Sequence, residues 1–188
     1  MTAPPRILLV CTANICRSPM AEALLRQIFA NQGLAAVIDS AATHDTHAGM
    51  PPHPMAVVAT KRRGIDITRI RARPVCAHDF ERFDLILAMD RANRAHLRSI
   101  CPRSRRHKIR LLLDFNRPLR RAEVGDPYGG SWRDFERALR TIHHGCKGVV
   151  AEVRRRSIRA ERENDARWPL WAATRHRLLS LWPVQRGA

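Results

Sequence analysis

The chain has 188 residues, 45% of them hydrophobic, which is enough for one compact domain with a real core and too many for a wholly disordered chain. Its charge is lopsided, 34 Lys+Arg against 17 Asp+Glu for a formal net +17, and every basic residue except Lys61, Lys108 and Lys147 is arginine. That balance suits a polyanionic or phosphorylated partner, and it equally suits a solvated surface, because the arginines are scattered rather than blocked.

Five cysteines without a Cys-x2-Cys pair argue against a disulfide framework. No apolar run nears the ~18 residues that span a membrane, and the apolar N-terminal run is too short for a signal peptide, so a reducing cytoplasm is the expected setting.

After a lead with Pro4 and Pro5, residues 7–11 are β-branched and leucine-rich and read as a buried strand. The polar loop Cys11 to Ser18 follows, then Pro19 to Gln32, where Met20, Ala23, Leu24, Ile28 and Phe29 fall at helical spacing and Gly33 supplies a stop. Ala35 to Ala41 reads as a second strand ending in a polar loop, Asp39 to His47. Pro51, Pro52 and Pro54 introduce a helix from about Met55 to Arg63, stopped by Gly64.

Ile65 to Val75 is irregular and basic. Asp84 to Met89 is a third strand, Asp90 caps a helix through about Arg98, and Ile109 to Leu113 is a fourth strand. Asn116 to Gly130 is loop, with a dense turn signal at Gly125-Asp126-Pro127-Tyr128-Gly129-Gly130. Ser131 caps a long helical pattern through Val153.

Three or four strands alternating with helices argue for an α/β fold in which a parallel sheet is covered on both faces. Right-handed crossovers put the loops after the strands along one edge, where ligands bind in such sheets. The expected division is a domain over residues 1–156 and a basic, Trp/Arg-rich extension over residues 157–188.

A strand, a short polar loop and a helix start make a phosphate cradle. Within it Cys11 and Arg17 bracket five residues, so that a thiol and a guanidinium face one oxyanion. A thiolate attacks phosphorus and forms a phosphocysteine, and the planar fork of Arg17 matches the equatorial oxygens. Ser18 is placed to donate to the sulfur, and Asn14 to brace the loop. The departing oxygen needs an acid, and Asp126, in a turn made pliable by glycine, is the candidate; the same carboxylate then activates water. No metal or cofactor is called for, and no His/Cys/carboxylate group has metal-ligand spacing.

The stretch Val10 to Glu22, with Asp126-Pro127-Tyr128, Val37-Ile38-Asp39-Ser40, Asp84 to Asp90 and Asn93, resembles the signature of low-molecular-weight protein tyrosine phosphatases over about residues 6–156. The resemblance implies a three-layer, flavodoxin/Rossmann-like fold around a four-stranded parallel sheet. It also implies hydrolysis of phosphotyrosine in proteins, with Cys11 as nucleophile, Arg17 as phosphate clamp and Asp126 as acid and then base. Thr12, Ala13, Asn14, Ile15, Cys16 and Ser18 would form the substrate loop, Tyr128 an aromatic wall and Ser40 a structural support. Cys16 matches a second thiol that can pair with the nucleophile under oxidation, and Ile15 fits members acting on tyrosine, where those acting on phosphoarginine carry Thr.

Three positions depart from the pattern. Ala13 and Ala42 stand where Gly is frequent, and Thr46 stands where an aromatic wall is common. No Phe, Trp or Tyr occurs in Asp39–Val58, which leaves Tyr128 as the main wall.

Two further functions fit parts of this pattern. An arsenate reductase on the same scaffold would need a relay among Cys76, Cys101 and Cys146, whose spacing gives no clear pair. A phosphate-binding regulatory protein without turnover would fit the departures at Ala13 and Thr46. The histidines, including His143-His144, lie outside the motif and read as surface or core residues. In the extension, Leu170, Trp171, Leu178, Leu179, Leu181 and Trp182 suit one face of a short amphipathic helix. That helix either touches an acidic partner or membrane surface or packs back on the domain. Oligomeric state is not legible.

Overall fold

A computed structural model of the chain describes residues 3–119 and 122–167. The chain divides into two compact units, Met1–Val153 and Arg154–Ala188. The extension's amphipathic pattern, from Leu170 onward, lies outside the described residues.

The first unit is built on four parallel strands, β1 (Arg6–Cys11), β2 (Val37–Ala42), β3 (Leu85–Ala88) and β4 (Ile109–Leu111), in the order β2-β1-β3-β4. In β1 Leu9 pairs with Ser40 of β2 and Leu87 of β3, while in β3 Ile86 pairs with Ile109 of β4. β1 is therefore interior, and its run Ile7-Leu8-Leu9-Val10 is fully buried, as a strand covered on both faces requires.

Its side chains alternate between two cores. Ile7 and Leu9 pack with Met20, Leu25 and Phe29 of α1 (Arg17–Asn31), Ala56 and Ala59 of α2 (Pro54–Lys61), and Phe135, Leu139 and Ile142 of α5 (Trp132–Arg167). Leu8 and Val10 pack with Phe80 of the short helix α3 (Asp79–Arg82), Phe83, and Leu97 of α4 (Arg91–Ile100). Three layers result, as expected.

Several boundaries differ from the sequence reading. α1 starts at Arg17, two residues early, because the loop closes directly onto its first turn. α3 and a 3-10 segment at Arg103–Lys108 lie where no element was expected; both are too short to show a period. β4 stops at Leu111, since Leu112–Phe115 turns into a 3-10 helix under α5. There α5 comes so close that a Cβ on Gly148 would lie 2.4 Å from the Phe115 carbonyl oxygen, and one on Gly145 2.6 Å from Leu112 Cγ. These glycines are requirements of packing inside a helix they otherwise weaken. α5 continues past Val153 to Arg167.

The segment read as irregular, Ile65 to Val75, is irregular, but its end bridges β2 at Ala42–Pro74, with Ala42 N–H donating to Arg73 O at 2.7 Å. Among the described residues no helix is long and apolar enough to cross a membrane.

The chain passes from β1 outward to β2 and then back across to β3, so β1 is the point where the winding reverses. The crevice beyond the carboxyl ends of β1 and β3 is where such sheets take ligands.

Candidate active site

β1 ends at Cys11, 3% exposed, and residues 12–16 turn the chain into α1. The turn needs one left-handed residue, and Asn14 supplies it at φ 54°, a conformation asparagine tolerates better than most residues. Asn14 is the only described non-glycine residue with positive φ, so Ala13 holds its methyl group on ordinary backbone. No side chain caps the N-terminus of α1, which leaves the positive end of its dipole facing the loop.

Behind the loop runs a fully buried polar chain. The Asn14 amide donates to Ser18 Oγ and to Ser40 Oγ, both at 2.9 Å, and its oxygen accepts the Arg73 N–H at 3.0 Å. Ser40 Oγ in turn donates to Glu22 Oε2 at 2.6 Å. Since Asn14 already donates to Ser18 Oγ, the serine's own proton is free to point at Cys11 Sγ, 3.0 Å away; the competing acceptor, Ala41 O, is at 3.4 Å. The network thus sets the direction of the Ser18–Cys11 bond.

Arg17 is only 2% exposed and is held along one edge. Its Nη1 donates to Asp90 Oδ2 at 2.6 Å and to Val124 O at 3.0 Å. Its Nη2 donates to Thr12 Oγ1 at 3.2 Å and, across 109 residues of sequence, to Asp126 Oδ2 at 2.7 Å. Among the described residues the buried Nε has no protein partner. An orphaned buried donor costs about 1–3 kcal/mol, and Nε is the donor this guanidinium has left for a tetrahedral oxyanion, since Nη2 is held by Thr12 and Asp126.

Asp90 also caps α4, accepting the Asn93 N–H at 2.6 Å. The Asn93 amide is best satisfied with its NH2 on the Asp90 carboxylate, at 3.1 and 3.2 Å, and its oxygen accepting from Thr12 Oγ1 at 3.1 Å.

Cys11, Thr12, Ala13, Ile15, Cys16, Arg17, Asp126 and Tyr128, all expected from the sequence, line one cavity of about 200 Å³ together with Thr46 and His47. Asn14, Ser18 and Ser40 stand behind the cavity rather than in it. Cys76, Cys101 and Cys146 do not line it, and all five cysteines are free thiols. Burial, with smaller contributions from Cys11 and Asp126, pushes the Cys16 thiol up to about 12, so it stays protonated at neutral pH beside Cys11.

The expectation that every histidine lies away from the motif is corrected. The His47 ring faces Tyr128 edge-on at 6.4 Å, and His53 lies edge-on to Tyr128 at 5.9 Å while stacking on Phe135 at 5.0 Å. A second ring therefore stands on the wall, one residue beyond Thr46, and no aromatic count over Phe, Trp and Tyr would find it. Among the described residues no group of three or more His, Cys, Asp or Glu could hold a metal ion.

Other contributors also escaped the sequence reading. Asp90 was expected only as a helix cap, yet its second oxygen anchors Arg17. Glu22 lies in the matched stretch, but its bond to Ser40 has no local signal. Arg73 is one arginine among many; it braces Asn14 through its backbone while its side chain pairs with Asp39 at 2.9 Å and buried Asp79 at 2.9 Å. These bonds outweigh burial for both partners, holding the Arg73 guanidinium above its usual range and the Asp79 carboxyl below its own.

The family profile described as low molecular weight phosphotyrosine protein phosphatase matches residues 6–159. The chain is 38% identical over 151 residues to the low molecular weight protein-tyrosine-phosphatase YfkJ of Bacillus subtilis, covering 79% of this chain and 96% of that one. It is 37% identical over 152 residues to the low molecular weight phosphotyrosine protein phosphatase of Sus scrofa, covering 79% and 95%. The crystal structure of a protein tyrosine phosphatase from Entamoeba histolytica superposes with a TM-score of 0.78 at 33% identity, covering 81% of this chain and 99% of that one.

Proposed function

This chain belongs to the low molecular weight phosphotyrosine protein phosphatase family, and we propose that Cys11, Arg17 and Asp126 carry its reaction, the hydrolysis of phosphotyrosine. The observation that carries this assignment is the 2.7 Å contact between Arg17 Nη2 and Asp126 Oδ2, which unites the phosphate clamp and the acid at the mouth of the cavity that Cys11 lines.

The phosphoryl group enters with one oxygen on the open Nε of Arg17 and displaces Asp126 Oδ2 from Nη2, which frees Asp126 for the leaving group, while Nη1 stays tied to Asp90 and Val124. The Cys11 thiolate attacks phosphorus, the bond from phosphorus to the phenolic oxygen breaks, and protonated Asp126 gives its proton to that oxygen as tyrosine leaves. The Asp126 carboxylate then takes a proton from water, the resulting hydroxide attacks the phosphocysteine, and the S–P bond breaks. Inorganic phosphate departs and Cys11 returns as thiolate. Ser18 Oγ, 3.0 Å from the sulfur, donates to it both as nucleophile and as leaving group.

The substrate ring runs along the wall that Tyr128 and His47 form together, over Ile15, an apolar floor suited to an aryl ester. Phosphotyrosine proteins are the partners, and the cytoplasm is the compartment; the five free thiols support a reducing setting.

The test compares aryl phosphates of graded leaving-group acidity. Cys11→Ser is expected to abolish turnover, and Asp126→Ala to slow esters of poor leaving groups at least tenfold more than esters of good ones. Equal slowing across the series would remove Asp126 from the acid role, and an active Cys11→Ser protein would remove the phosphocysteine.

A further inference from the structure

Beside the cleft, one face of α2 and the start of α5 enclose a second depression of about 80 Å³, lined by Met55, Val58, Ala59, Arg62, Trp132 and Glu136. Met55 is 38% exposed, Val58 51% and Trp132 53%. A single exposed apolar side chain is ordinary, but three around one depression mark a contact surface.

The depression is separate from the catalytic cleft, and His53 links the two. His53, edge-on to Tyr128 at 5.9 Å, also caps α2 by accepting the Met55 N–H at 3.2 Å. Tyr128 and Trp132 stand at either end of the turn that starts α5. The border is cationic. The guanidinium groups of Arg62 and Arg133 lie over the Trp132 ring at 5.3 and 5.8 Å, and neither forms an ion pair with a carboxylate among the described residues.

We propose that this depression receives one apolar side chain of the phosphoprotein substrate, close in sequence to its phosphotyrosine, with an acidic neighbour of that side chain resting on Arg62 and Arg133. The inference rests on reading the cleft as a phosphotyrosine site. The volume suits one side chain and no larger element, and the net charge of +17 favours an acidic peptide. Extended chain advances about 3.3 Å per residue, so four residues on either side of the phosphotyrosine reach about 13 Å from it.

The experiment uses the full chain and an acidic, otherwise Gly/Ser phosphotyrosine peptide in which one leucine is walked from four residues before the phosphotyrosine to four after. At one position kcat/KM is expected to rise about tenfold through KM, the effect of burying one leucine side chain. Val58→Asp and Trp132→Ala should each erase that gain and leave turnover of para-nitrophenyl phosphate within about twofold.

Anisotropy measurements with the same peptides report binding independently of turnover. A parent chain that hydrolyses no aryl phosphate would sink the phosphatase reading, while the binding arm still decides the docking. No leucine position above about twofold, or a gain that survives both substitutions, would overturn the proposal. So would a concentration-dependent dimer lost in Val58→Asp without any peptide preference, which would give the surface to a second copy of the chain.

Discussion

Asn14 is the residue whose replacement separates backbone from side-chain contributions most sharply. It is fully buried, donates two hydrogen bonds at 2.9 Å, accepts one at 3.0 Å and stands at φ 54°. Asn14→Ala removes all three bonds, at about 1 kcal/mol each, and takes away the short polar side chain that lets this residue adopt left-handed backbone, at a further cost of about 1–2 kcal/mol. The sum, about 4–5 kcal/mol, is a large part of the 5–15 kcal/mol typical of a folded domain.

Asn14→Gly loses the same bonds without the left-handed penalty, but frees the unfolded chain by about 0.4–1 kcal/mol, so it should be the more stable of the two by about 0.5–1 kcal/mol. In both variants Ser18 loses the donor that directs its proton at Cys11, and kcat should fall about tenfold, the equivalent of one lost hydrogen bond of about 1.4 kcal/mol in the transition state. Urea midpoints and saturating turnover of an aryl phosphate measure the two effects. An alanine variant at least as stable as the glycine variant would refute the backbone argument, and unchanged kcat in either would refute the role given to the Ser18–Cys11 contact.

Two further outcomes follow from buried charge. Asp90→Asn keeps a good helix cap but removes the anionic partner of a guanidinium that is 2% exposed. A broken buried pair costs about 3–5 kcal/mol, and because Asp126 still faces Arg17 the loss should lie near the lower figure, with kcat/KM down tenfold or more; a melting temperature and kcat/KM like the parent's would contradict the clamp geometry.

The Cys16 and Cys146 thiols are each pushed up to about 12, chiefly by burial, from 9.0. Between those values the unfolded chain releases thiol protons that the folded chain keeps, so the stability these thiols contribute is complete below about pH 9 and is lost as pH rises towards 12. The urea midpoint should therefore fall from about pH 8 to about pH 10.5, and fall less steeply in the Cys16→Ala/Cys146→Ala double variant; parallel curves would dismiss the linkage.

What could be read in advance was what repeats locally or sits in one short stretch. The apolar run of β1, the helical spacing through Phe29, the cap at Asp90 and the loop from Cys11 to Ser18 each lie within a window of a dozen residues, and each appears where expected. Thr12 to Ser18 were legible as a cradle for the same reason.

The unread parts owe their roles to topology. Val124 touches Arg17 because its loop hydrogen-bonds to Met89 at the end of β3, and Arg73 reaches Asn14 because a stretch without periodicity bridges Ala42. His47 serves as a ring only because Tyr128 is folded against it. α3 was missed because an element of four residues carries no period, and β4 was expected but ends two residues early because packing under α5 overrides an apolar sequence.

The ion pair between Arg17 and Asp126 spans 109 residues, and the second carboxylate on that guanidinium, Asp90, is 73 residues away. During synthesis the nucleophile and clamp are thus made long before anything that can neutralise or complete them. A guanidinium this deeply buried is tolerated only once both carboxylates and the Val124 carbonyl are in place. A chain interrupted between Asp90 and Val124 therefore has the whole Cys-x5-Arg loop without the Val124 carbonyl and the Asp126 carboxylate that complete the hold on Arg17.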